Sequence, residues 1–146
     1  MEDAKAGEVL TFLLDTNVAS ELRKIRPHGA VLSWYKSHSP DAFGLSALTI
    51  YELQAGAEVT RRQDSEKALE IERWIDALID ETLILPLDAD GARQAAQLMR
   101  NQSKALIEDA MIAATAKINR LTVATRNTRD FERFDVALVN PFEFKA

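Results

Sequence analysis

Residues 9–18 read VLTFLLDTNV. Val9 to Leu14 is an apolar run with β-branched and aromatic members, entered from Gly7 and too short for a core helix, so it predicts a buried strand. Asp15, Thr16 and Asn17 follow, residues whose short polar side chains satisfy the free N–H groups at a helix start. Val18, Leu22 and Ile25 then recur at helical spacing until Pro27, with Gly29 close by, stops the pattern. The unit is a strand, a turn and a helix, with a carboxylate at the junction.

Further along, the same alternation recurs. Ala30 to His38 reads as a helix around Val31, Trp34 and Tyr35, closed by Ser39-Pro40. Phe43 to Leu45 predicts a second strand, and Ser46 caps a helix through Leu48, Ile50, Tyr51, Leu53 and Ala55 that runs past Gly56. Glu66 to Ile79 carries Leu69, Ile71, Trp74, Ile75 and Leu78 at helical spacing, with charges opposite. Thr82 to Leu87 predicts a strand in which Pro86 marks an edge position or an end. Asp88 opens a helix through Ala92, Ala95, Ala96 and Met99. Ile107 to Asn119 is another, whose alanines at 110, 113, 114 and 116 allow close packing. Leu121 to Thr125 predicts a strand, residues 126–131 (RNTRDF) a polar turn, and Ala137 to Val139 a last strand before Pro141. Strands alternating with helices imply an α/β class domain of three layers, α/β/α, around a central, mainly parallel sheet.

The chain of 146 residues, 47% of them hydrophobic, suffices for one core, so residues 1–146 are read as a single domain with about 1–8 as an N-terminal extension. No cysteine is present, which excludes disulfides, thiolate metal sites and thiol nucleophiles. The opening MEDAKAGEVL lacks a secretory pattern and no apolar run reaches spanning length, so the expectation is a soluble, cytoplasmic protein without membrane contact. A net charge of -5 argues against bulk coating of nucleic acid. It leaves room for local phosphate contacts by pairs such as Arg23 with Lys24 and Arg61 with Arg62, although each single pair is better explained as solvated helix surface.

In a parallel sheet, ligands bind at the carboxyl ends of the strands. Asp15 ends the first strand, and Asn127 and Asp130 follow the LTVAT strand. Glu52 and Asp109 fall inside apolar helical stretches, where an ionised carboxylate is costly unless paired or bound to a cation. A divalent metal relieves repulsion among such acids, and magnesium takes oxygen ligands, usually one or two carboxylates with waters. Each acid alone has a plainer explanation: Asp15 as a helix cap, Glu52 as a surface glutamate, Asp109 as a first-turn acid favoured by the helix dipole.

Three segments set these acids in order: LLDTNVASEL around Asp15, LSALTIYELQAG around Glu52, and IEDAMIAATAKINRLTVATRNTRDF around Asp109 and Asp130. Together they resemble the PIN-domain nucleases, and especially the toxin subunits of bacterial toxin–antitoxin pairs of the VapBC and FitAB type. The resemblance implies a PIN-like α/β/α fold and an acidic pocket that binds Mg2+ (or Mn2+) and hydrolyses single-stranded RNA with metal-activated water. It implies Asp15, Glu52 and Asp109 as metal-site acids, Asp130 as a further catalytic acid, and Thr16 and Ser46 as supporting polar residues. Asn127 stands where many members carry a fourth Asp, so either Asn127 or Asp130 completes the site, and one ion fits better than two. The same resemblance implies a homodimer and a small cognate antitoxin of the VapB or FitA kind, which would insert a basic side chain among the acids.

A haloacid-dehalogenase-type phosphatase also carries Asp after its first strand, but it needs a second Asp where Asn17 stands. The remaining alternative is a PIN-fold binding protein of weak activity that works through antitoxin and dimer contacts. Apolar residues from Leu48 to Ala55 and from Glu66 to Ile79 serve such surfaces or the core equally well. His28 and His38 read as surface histidines without a role. Trp34, Tyr35 and Trp74 read as core or interface rather than base-stacking groups.

Overall fold

The computed structural model describes residues 8–146. Five strands, β1 (Phe12–Leu14), β2 (Phe43–Ser46), β3 (Leu83–Leu85), β4 (Thr122–Ala124) and β5 (Leu138–Val139), form one sheet in the order β3-β2-β1-β4-β5. Every neighbouring pair is parallel. Seven α-helices lie among the described residues: α1 (Thr16–Arg23), α2 (Gly29–Lys36), α3 (Ala47–Arg61), α4 (Ser65–Glu81), α5 (Ala89–Leu98), α6 (Ile107–Ile118) and α7 (Thr128–Glu132). None is long and apolar enough to cross a membrane.

The two-residue period of a strand explains the layering. Leu13 points into one core with Val123, Ile112, Ala113, Ala116, Phe131 and Phe134. Its neighbour Leu14 points into the other, with Ala124, Leu45, Val18, Val31 and Trp34. Helices therefore cover both faces, and the α/β/α class read from the sequence is the observed one. Ala110, Ala113, Ala114 and Ala116 are fully buried, so the small side chains of α6 do serve close packing against the sheet and α5.

Two elements differ from expectation. β1 begins at Phe12 rather than Val9, because Val9 is 77% exposed and reaches no core. The polar run after β4 is not a plain turn: Thr128–Glu132 closes a short helix, held by Phe131 and Phe134, which bury completely in one cluster and outweigh the polar residues around them. Pro86 lies just past β3, which is an edge strand as expected. Residues 1–7 of the expected extension lie outside the described residues. Glu8 is tied down, its carboxylate accepting the Ser39 amide and contacting His38 Nδ1 at 2.9 Å.

β1 lies at the centre of the sheet. The chain builds outward from it through β2 and β3, then crosses to its other side for β4 and β5. That reversal makes the carboxyl ends of β1 and β4 the switch point of the sheet, the position where doubly wound sheets bind ligands.

Candidate active site

Asp15 stands at this switch point, its backbone N–H donating to Ala124 O at 2.9 Å as the last rung between β1 and β4. Its Oδ1 accepts the Thr16 N–H at 2.9 Å, so it does cap α1. Its Oδ2 accepts from Asn17 Nδ2 at 2.9 Å and Thr125 Oγ1 at 2.7 Å. The side chain is 5% exposed. Burial pushes the carboxyl above its usual range, and the three hydrogen bonds pull it back in part.

α3 starts at Ser46, whose hydroxyl accepts the Leu48 N–H at 3.0 Å and is fully buried. Ser46 therefore sets the direction of the helix that carries Glu52. Glu52 Oε1 accepts the Thr16 hydroxyl at 2.5 Å, and the hydroxyls of Thr16 and Thr49 lie 3.3 Å apart. Burial, followed by the charges of Glu108 and Asp15, raises Glu52 to about 7.

Asp109 occupies the first turn of α6, where the helix dipole favours an acid. Burial is nevertheless the largest influence on it, and with the charges of Asp15, Asp130 and Glu108 it raises the carboxyl to about 6, only partly offset by Arg133. Asp15, Glu52, Asp109 and Asp130 are thus joined in one electrostatic group, Asp130 through Asp109. Asn127 contributes differently: its backbone N–H donates to Thr125 Oγ1 at 2.9 Å, while its exposed side chain makes no cap bond to α7.

Sequence reasoning missed Glu108, which acts on both Glu52 and Asp109. Adjacent helix residues do not share a face, so an acid beside Asp109 gives no signal by spacing alone. It also missed Thr125, fully buried and bonded to Asp15, and Asn17, whose Oδ1 accepts the Arg126 N–H at 3.1 Å. The histidines are not alike. His28 is exposed and caps α2, whereas His38 is partly buried, with its ring 4.9 Å from that of Phe12. Trp34 is core at 2% exposure. Trp74 and Tyr35, with Leu22, Leu32 and Leu78, line a mainly apolar groove of about 430 Å³ that has Glu81 in its wall but none of Asp15, Glu52, Asp109 and Asp130.

The donor set suits a hard cation: it is all oxygen, and burial, reinforced by the charges of neighbouring acids, holds two of its members well above their ordinary values. The acids do not form a finished cage. Among the described residues no three or more His, Cys, Asp or Glu side chains are grouped so as to hold an ion outright. The fit is to an ion held by one or two carboxylates with water completing its shell.

A parallel sheet in this order, with acids gathered at its switch point, defines a class that the comparisons make explicit. Residues 12–137 match the PIN domain model, and the chain belongs to that family. It is similar to the VapC ribonuclease Y4jK of Sinorhizobium fredii, 38% identical over 139 residues that cover 90% of this chain and 97% of that protein. The toxin FitB of Neisseria gonorrhoeae is 37% identical over 137 residues, covering 89% and 97%. The crystal structure of FitAcB from Neisseria gonorrhoeae superposes with a TM-score of 0.76 at 34% identity, covering 92% of this chain and all of that one. A toxin-antitoxin complex from Klebsiella pneumoniae gives a TM-score of 0.70 at 27% identity, covering 92% and 100%.

Proposed function

We propose that this chain is a metal-dependent endoribonuclease that cleaves single-stranded RNA in the cytoplasm and serves as the toxin of a toxin–antitoxin pair. The observation that carries the reading is that Thr16 ties two of the acids together, its N–H donating to Asp15 Oδ1 at 2.9 Å and its hydroxyl to Glu52 Oε1 at 2.5 Å, with Asp109 close enough to feel the Asp15 charge. Two relatives whose names are those of a ribonuclease and a toxin support it.

Of Asp15, Glu52 and Asp109, one or two would hold the ion directly and the rest through its water, and magnesium, or manganese in its place, would supply positive charge at the scissile phosphate and make a water more acidic. The protein's own part is orientation. Three hydrogen bonds fix the plane of Asp15, two on Oδ2 and one on Oδ1, so Oδ1 keeps the open acceptor position. Thr16 occupies Oε1 of Glu52, whose carboxyl also meets that of Glu108. Asp130 adds negative charge beside Asp109, and Ser46 holds α3 in register.

An acidic pocket of this kind is blocked most simply by a basic side chain, above all Arg, from a cognate antitoxin. The apolar groove beside α1, α2 and α4 offers that partner a place to anchor. Tyr51 and Val59 on α3, 63% and 65% exposed, with Leu69 and Ile79 on α4, both 45% exposed, supply apolar surface for a second copy of the chain. Leu53, Ala68 and Ile75 on the same helices face the core.

Expressing the chain alone and together with its neighbouring small gene, with sequencing of RNA ends, tests the reading. Growth arrest relieved by the second gene, together with new RNA ends, is the expected result. Equal growth in both cases, with soluble and active protein in extract, rules the toxin role out.

A further inference from the structure

Beside the acids stands a cation that the site description leaves without a role. Arg126 directly follows Thr125, and its backbone N–H donates to Asn17 Oδ1 at 3.1 Å, while the same Asn17 donates to Asp15 Oδ2 at 2.9 Å. Arg126 is therefore one side chain away from Asp15, with its backbone fixed. Its guanidinium lies 4.5 Å from the centre of the Phe142 ring, and Phe142 also contacts the His28 ring at 5.1 Å. The residue is exposed, and no ion pair found among the described residues involves it.

Phe142 belongs to the turn Pro141–Glu143, against which α2 packs, and His28 precedes α2. The segment 23–28 that ends at His28 carries exposed Arg23, Lys24 and Arg26. In a chain of net charge -5, an exposed arginine beside a cluster of acids is a local feature rather than a property of the whole surface.

We propose that Arg126 binds a phosphate of single-stranded RNA adjacent to the scissile one. This rests on the ribonuclease reading above. A guanidinium gives forked hydrogen bonds to phosphate and a flat face on which a base can stack, and the Phe142 ring pre-orders it, lowering the entropy cost of binding. Together with an ion among the acids, it would hold two successive phosphates and so set the register of the strand.

The test uses fluorescent single-stranded RNA with Mg2+. Binding is measured in the full chain carrying Asp109→Asn, with and without Arg126→Ala or Arg126→Lys, across a range of salt. Cleavage is measured in the otherwise native chain, with exposed Arg93→Ala on α5 as charge control. Arg126→Ala is expected to weaken binding about tenfold whatever the RNA sequence, and to reduce the slope of log K against log salt by about 0.7. KM should rise more than kcat falls. Arg126→Lys should lie between, and Arg93→Ala should match the native chain. Unchanged affinity and salt slope in Arg126→Ala overturn the proposal. So does an Arg126→Ala chain that keeps RNA binding but loses its antitoxin, since the rim then belongs to a protein partner. A native chain that neither binds nor cleaves RNA shows a different pattern and removes the ribonuclease reading along with this one.

Discussion

Thr125 Oγ1 donates to Asp15 Oδ2 at 2.7 Å across 110 positions of sequence, joining the ends of the two central strands through a buried hydroxyl. The same oxygen accepts the Asn127 N–H at 2.9 Å, so one side chain orients the carboxylate and starts the turn into α7. Thr125→Val keeps the shape and removes both bonds, together with a longer one from Asn17 Nδ2 at 3.4 Å. It is expected to cost about 1–3 kcal/mol in denaturant unfolding, because a partly buried N–H and a buried carboxylate each lose a partner. Thr125→Ser should recover most of the loss.

Asp109→Asn is expected to hold or raise the stability of the metal-free protein, since it removes one charge from a group that burial and three neighbouring acids already oppose. Thermal melts in EDTA check this. A clear drop in melting temperature would mean that the Asp109 charge stabilises the fold.

The metal-free protein should become more stable as the pH falls from about 8 toward about 5. Glu52 is raised from 4.5 to about 7 and Asp109 from 3.8 to about 6. A carboxyl raised on folding contributes stability that is fully present below its unfolded value and is lost as pH rises through its folded one. Glu21, which accepts from Lys24 and the His28 N–H, is lowered and works the opposite way, but only near and below its ordinary value of 4.5. Denaturant unfolding at pH 5.5 and pH 8 in EDTA measures the slope, and Glu52→Gln together with Asp109→Asn should flatten it.

Asp130→Ala should impair RNA cleavage more than Asn127→Ala, because Asp130 acts on Asp109 by its charge whereas the Asn127 side chain is exposed and its backbone N–H already has a partner. Rates for the two purified variants at saturating Mg2+ rank them. The reverse order would make Asn127 the direct contact.

Much of this was legible before any coordinates. The junction at Asp15 combined an apolar strand, a cap residue and a helical period, three local signals that agree, and the structure places a cap there. Ser46 and Asp88 were readable as caps for the same reason. What stayed hidden were relationships that depend on tertiary approach. Thr125 looked like the last residue of a strand, and only the pairing of β1 with β4 brings it to Asp15. Glu108, next to Asp109 in the first turn of α6, gains its role only from the docking of α6 against α3, which brings it to Glu52. The helix at Thr128–Glu132 was masked by its polar composition, since its two anchors, Phe131 and Phe134, are too few to show a period.

Cleavage of end-labelled single-stranded RNA by the purified chain and by Asp109→Asn, each with Mg2+ and with EDTA, bears most directly on the claim that Asp15, Glu52 and Asp109 form a metal-dependent nuclease site. The account expects cleavage by the native chain with Mg2+ alone, and a loss of at least about 100-fold, nearly 3 kcal/mol of transition-state stabilisation, in Asp109→Asn. Cleavage that persists undiminished in EDTA, or in Asp109→Asn at saturating Mg2+, would contradict it.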